Sequence, residues 1–136
     1  MTNDCIFCKI VNKQIPAHVL YEDELLLALM DAFPAAPGHV LIIPKAHAQD
    51  LHDLPEATAA AILPLAQRLA HKINETLQPD GINIIQNNGA AAGQVVFHYH
   101  MHLIPRKTGD NIIIKSKPLT VKTEELAEWC TRLTLN

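Results

Sequence analysis

The sequence predicts an α+β fold, a mostly antiparallel five-stranded sheet with one long helix and short terminal helices. Three observations predict it. Short apolar runs are separated by turn-length polar gaps, so successive strands meet in hairpins. A single stretch, Leu54 to Leu77, repeats apolar residues at helical spacing. The run from Phe97 to Pro105 alternates with the two-residue period of a strand.

Cys5 to Asn12 reads as a short helix, ended by Gln14-Ile15-Pro16, since the residue before a proline is pushed toward extended backbone. Val19–Glu22 and Leu25–Met30 follow as two strands around an acidic turn at Asp23-Glu24. His39–Ile43 is apolar, partly β-branched and closed by Pro44, which makes a third strand. Pro55 opens the long helix, where a proline loses no internal hydrogen bond, and Pro79-Asp80-Gly81 stops it. Pro64 lies inside and is expected to bend the rod near residues 60–64. Gly81–Asn87 is a fourth strand, the small-residue loop Gly89–Gly93 follows, and residues 96–105 form the fifth. Asn111–Lys115 suggests a short extra strand, and Glu124–Leu133 a terminal helix with Trp129 on its apolar side and Cys130 packed beside it.

A chain of 136 residues fits one domain, 1–136, and is long enough to bury a core; it shows no repeat, linker or low-complexity tract. Its net charge of −3 and lack of a Lys/Arg block argue against long nucleic acid, whose affinity comes from cations on phosphates. No apolar stretch approaches a membrane span, and the polar start Met1-Thr2-Asn3-Asp4 lacks signal-peptide character, so the expected location is cytoplasmic. Three cysteines, unevenly placed, do not make a secreted disulfide scaffold and fit a reducing compartment.

The chemistry concentrates in Phe97-His98-Tyr99-His100-Met101-His102-Leu103. Alternation places His98, His100 and His102 on one face, with Phe97, Tyr99, Met101 and Leu103 on the other. Three neighbouring imidazoles neither pack like a core nor solvate like Lys or Glu. They can attack phosphorus, relay a proton, bind a phosphate oxygen or hold a metal. His100, flanked by the other two, is best placed as a nucleophile.

Gly89 to Gly93 lets backbone approach a phosphate closely, with Asn87 and Gln94 as amide donors; alone, such a loop is equally an ordinary turn. Asp31 ends an apolar strand before a Pro-rich loop, a place for a carboxylate that accepts from ribose hydroxyls or for a turn aspartate. Ile6, Phe7, Phe33 and Ile43 are candidate walls for a base and equally ordinary core. Cys5-Ile6-Phe7-Cys8 allows two thiolates on one ion; a redox pair and two unligated buried thiols are the alternatives. His18, His52 and His71 have no convergent partners and read as surface residues.

The run His98-Tyr99-His100-Met101-His102-Leu103-Ile104 resembles the signature of the histidine-triad (HIT) superfamily of nucleotide hydrolases and transferases. The block Asp31 to His47 is similar to that family's upstream block, and Asn87 to Gln94 to its phosphate loop, so the resemblance covers most of Cys5 to Arg106. It implies a HIT-like fold whose sheet continues across a homodimer. It implies a nucleotide-binding hydrolase cleaving at the α-phosphate of purine nucleoside phosphoramidates or dinucleoside polyphosphates, with His100 as nucleophile, His98 supplying the carbonyl that orients it, and His102 against the phosphate. His39 matches the family's fourth histidine and lies near the triad. Asp31 takes the ribose and Asn87, Gly93, Gln94 and Val95 the phosphate; Val95 stands where eukaryotic members carry Ser or Thr, leaving only its N–H. Bacterial members with the cysteine pair imply structural zinc on Cys5, Cys8, His47 and His98, closed to catalysis. Two other readings stand beside this one: a nucleotide-binding regulator with little turnover, and a hydrolase whose triad itself holds catalytic zinc.

Overall fold

In the computed structural model, which describes residues 4–135, the chain forms the five-stranded antiparallel sheet and three helices. The elements are α1 (Ile6–Val11), β1 (Val19–Glu22), β2 (Leu26–Met30), β3 (Val40–Pro44), α2 (Glu56–Leu77), β4 (Gly81–Ile85), β5 (Met101–Arg106) and α3 (Thr123–Leu133). The sheet order is β1-β2-β3-β5-β4.

Two apolar layers follow from the pleat. Leu26, Ala28, Val40, Ile42 and Leu103 point to one face and pack with Ile62, Leu65, Ala66 and Ile73 of α2. Leu27, Leu29, Leu41 and Ile43 point to the other and pack with Phe7 of α1. β2 and β3 are therefore apolar at nearly every position, as strands covered on both faces must be. The β1–β2 turn is built by Asp23, whose Oδ1 accepts from the Leu25 and Leu26 amides at 2.8 Å each. α2 runs through Pro64 without interruption and ends at Gln78, which adopts the left-handed conformation. No helix among the described residues is long and apolar enough to cross a membrane.

Three expectations are corrected. The fifth strand begins at Met101, not residue 96: the β3–β5 pairing starts at Ile42 opposite Met101, and the first two histidines precede the ladder. Asn111–Lys115 is not a strand. Asn111 takes a left-handed φ of 61°, and Arg106 holds the Ile112 carbonyl at 2.6 Å, which removes that segment from any sheet edge. α3 forms as expected but buries none of its side chains; Trp129 is 40 % exposed and Cys130 is exposed, because nothing among the described residues covers its apolar side.

Candidate active site and metal cluster

Alternation survives where the ladder does not. Tyr99, Met101 and Leu103 belong to the layer under α2, while His98 and His100 stack against Phe7 on the opposite face, with ring centroids 5.7 and 5.2 Å away. His100 and His102 lie edge to face at 5.0 Å. Sharing a face does not make the three rings share a site: His98 belongs to one cluster, His102 to another, and His100 to neither.

The first cluster holds His98, which is completely buried. Its Nε2–H donates to the Pro44 carbonyl at 2.8 Å, so Nδ1 carries the lone pair. That Nδ1 lies 3.3 Å from Cys5 Sγ, 3.6 Å from Cys8 Sγ and 3.1 Å from His47 Nδ1, and Cys8 Sγ lies 3.3 Å from His47 Nδ1. Tetrahedral zinc, with Zn–N about 2.0–2.1 Å and Zn–S about 2.3 Å, sets such atoms roughly 3.3–3.8 Å apart. The donor set and its spacing fit that ion, and the carbonyl holding Nε2–H is the outer partner a metal-bound imidazole needs. Cys5 caps α1 and Cys8 sits within it, so the cluster joins the helix to the sheet.

The second cluster is Asp31, His39 and His102. The Ala35 amide donates to His39 Nδ1 at 3.0 Å, which leaves the ring hydrogen on Nε2. That N–H has two acceptors, His102 Nδ1 at 2.9 Å and Asp31 Oδ2 at 3.3 Å. His102, accepting at Nδ1, carries its own hydrogen on Nε2 and so presents a donor. Both nitrogens of His39 are engaged through hydrogen atoms, so His39 has no lone pair to give a metal and the trio forms a hydrogen-bond relay. Burial lowers the His102 pKa to about 4, with the neighbouring His100 and His39 pushing the same way. Burial also lowers His39, against the opposing pull of Asp31. Both rings are thus neutral near pH 7.

His100 stands between the clusters. Its Nδ1–H donates to the His98 carbonyl at 2.7 Å, leaving Nε2 unprotonated and free for attack. A cavity of about 450 Å³ opens on His100 and His102 and reaches Asp31, walled by Ile6, Phe7 and Phe33. Ile43 is fully buried and does not line it. Ile10, Ile15, Leu29 and His18 do. No local pattern marks these: they come from three separate segments, and His18 looks like any exposed histidine until β1 is laid beside β2, where its carbonyl takes the Met30 amide at 2.9 Å.

The loop before the triad is a one-turn helix, Ala90–Ala92, between Gly89 and Gly93, whose φ of 92° and 95° belong to glycine. Gln94 is buried and its amide is fully committed: Oε1 accepts from Gly89 at 2.7 Å, and Nε2 donates to the Gln49 and Val96 carbonyls at 2.7 and 3.1 Å. It braces the loop and, in this conformation, offers a ligand no donor. Among the described residues, the Asn87 side-chain amide, beside Gly93, has no hydrogen-bond partner and the Val95 N–H no acceptor.

Comparison with known proteins identifies the family and the fold. The model of the HIT domain matches residues 12–109. The adenosine 5′-monophosphoramidase of Schizosaccharomyces pombe is 45 % identical over 102 residues, 75 % of this chain and 74 % of that protein. Among solved structures, a HIT family protein of Bacillus anthracis superposes with a TM-score of 0.88 at 38 % identity, covering 98 % of this chain and 96 % of the other. A zinc-bound histidine triad family protein of Mycobacterium smegmatis is 40 % identical, with a TM-score of 0.76 over 95 % of this chain and 97 % of its own. With its triad, its relay and its loop in these positions, the chain belongs to the HIT family.

Proposed function

We propose that this protein is a nucleotide hydrolase that cleaves at the α-phosphate of purine nucleoside phosphoramidates or dinucleoside polyphosphates through a nucleotidyl-His100 intermediate. The observation that carries the reading is the 2.7 Å hydrogen bond from His100 Nδ1–H to the His98 carbonyl, which aims an unprotonated Nε2 from a cavity-lining ring. Nε2 attacks phosphorus, the bond to the leaving amine or phosphate breaks, and its electron pair departs with that group. The leaving group takes a proton from solvent as it departs; water then attacks phosphorus, keeping one hydrogen on the new hydroxyl and returning the other to solvent, which releases the nucleoside monophosphate and returns the pair to Nε2. His102 Nε2–H, the Val95 N–H and the Asn87 amide stabilise the phosphoryl charge, Gly93 lets the backbone approach, Gln94 braces the loop, and Asp31 takes the ribose.

His39 acts through His102. The S. pombe relative, a phosphoramidase by name, supports an amine as leaving group. So does the absence of Lys and Arg among the residues lining the cavity, since a polyphosphate leaving group asks for cations. Cys5, Cys8, His47 and His98 hold structural zinc in this reading, which pins α1 to the sheet. Two copies pair through the outer strand β4 and the adjoining face of α2, where Ile84 and Leu63 are exposed at 46 % and 62 %.

The test is turnover of an adenosine phosphoramidate and a diadenosine polyphosphate, with radiolabel trapped as phosphohistidine at residue 100. Labelling of wild type and its loss with activity in His100→Ala are expected. A His100→Ala protein at the wild-type rate would overturn the proposal, and tight AMP binding without turnover of either substrate would favour the regulator.

A further inference from the structure

We infer that Cys5, Cys8 and His47 are positioning residues for the nucleophile, acting through His98, so that the metal centre governs turnover without touching substrate. This rests on the assignment of His100 as nucleophile.

His98 is the only residue shared by the metal cluster and the catalytic machinery. Its ring belongs to the cluster, and its carbonyl accepts the His100 Nδ1–H that selects the tautomer and aims the ring. In a continuous strand the ladder would hold that carbonyl in place. Here it does not, because β5 begins at Met101. What holds the backbone at 98–99 is the His98 side chain, fixed at Nε2 by Pro44 and facing the cluster at Nδ1, and the Tyr99 amide, which donates to the Ala48 carbonyl at 2.7 Å, one residue after His47. Two of these three ties run through the cluster or its immediate neighbour. The cluster also seats Phe7, between Cys5 and Cys8, against the His98 and His100 rings.

Without metal, two sulfurs and two imidazole nitrogens crowd within 4.8 Å with nothing to bind them in common, and the His98 carbonyl loses an anchor. A tilted carbonyl misaims Nε2. Asp31 and Phe33, on the other side of the cavity, belong to no part of this cluster, whereas Phe7 is seated by it, so the loss falls mainly on kcat.

The experiment strips metal from the whole protein with a chelator and follows zinc content, helical circular dichroism, the ¹H–¹⁵N signal of His100 Nδ1–H and steady-state kinetics. The expected result is a kcat lower by roughly 10–100-fold with KM within about twofold, loss of the Nδ1–H signal, and recovery of both on adding stoichiometric zinc. A stripped, folded protein that keeps the Nδ1–H signal and the wild-type kcat would overturn the inference. Should stripping unfold the chain, zinc-loaded Cys5→Ala and Cys5→His give the same decision: the first leaves an incomplete ligand set and lowers kcat, the second restores the set and the rate. Equal rates in the two would sink it. The nitrogen signal is read without substrate, so an active His100→Ala would remove the nucleophile assignment while leaving the signal's dependence on zinc intact.

Discussion

His39 Nε2 lies 2.9 Å from His102 Nδ1, and the Ala35 amide at the far side of the His39 ring decides which of the two donates. A backbone N–H cannot change its role, so the hydrogen bond runs in one direction, from His39 Nε2–H to His102 Nδ1, and leaves His102 a neutral ring with its donor at Nε2. His39→Phe removes the hydrogen that fixes this tautomer and is expected to lower kcat roughly 10–100-fold, the usual effect of losing an orienting partner. His39→Gln can accept from Ala35 and donate to His102, so steady-state kinetics should show partial recovery. Equal kcat in wild type and His39→Phe would dismiss the relay.

Gly38 takes φ +85°, and a Cβ there would overlap Leu77 Cδ1 and stand 3.2 Å from Pro105 Cγ. It is the tight entry to β3, just before His39, beside the Leu77 side chain at the C-terminal end of α2. Gly38→Ala combines left-handed strain with overpacking and should cost about 2–4 kcal/mol. Urea denaturation measures this directly, and an unchanged midpoint would contradict it.

How much of this was legible before the structure depends on how locally each feature is encoded. The strands and α2 were readable because a short apolar run, a period-two alternation and a 3.6-residue pattern each report burial along one segment, as Val40–Pro44, Tyr99–Leu103 and Leu65–Ile73 do. The common face of His98, His100 and His102 followed from the same alternation, but not their division between clusters, which depends on Pro44 and Ala35 meeting particular ring nitrogens. Cys5 and Cys8 announced themselves by spacing, whereas His47 and His98 entered through the family resemblance alone. The extra strand at 111–115 was misread because a β-branched run carries no trace of Arg106, which grips Asp110 at 2.8 Å and the Ile112 carbonyl. Gln94 looked like a free amide, since its partners Gln49 and Gly89 are joined to it only by the fold.

Acid should destabilise the protein through the relay. Burial first, then the neighbouring His100 and His39, holds His102 at about 4 in the folded chain, against an ordinary 6.5. The unfolded imidazole takes up its proton as pH falls through 6.5, while the folded one waits until about 4. Stability from keeping His102 neutral is therefore complete above 6.5 and is lost between there and 4, and His39 shifts in the same direction. Thermal melts across that range should show a falling Tm in wild type and a shallower fall in His102→Gln, which has no proton to gain. Parallel curves would refute the shift.

Gln94 offers the sharpest separation between bracing the loop and binding the phosphate. Its side chain is buried at 4 % exposure and joins the Gly89 amide to two carbonyls 45 and 2 residues away. Gln94→Ala leaves those groups unpaired, which should cost on the order of 1–3 kcal/mol and loosen the turn that presents the Val95 N–H. Gln94→Glu still accepts from Gly89 but turns an acceptor toward the Gln49 and Val96 carbonyls. It should therefore destabilise at neutral pH at least as much as alanine does. A residue that merely donated to phosphate would lose AMP affinity on substitution with no change in unfolding free energy. Calorimetric AMP titration and urea denaturation of both variants distinguish the two roles: bracing requires affinity and stability to fall together, and wild-type stability in Gln94→Ala would return the residue to direct phosphate contact.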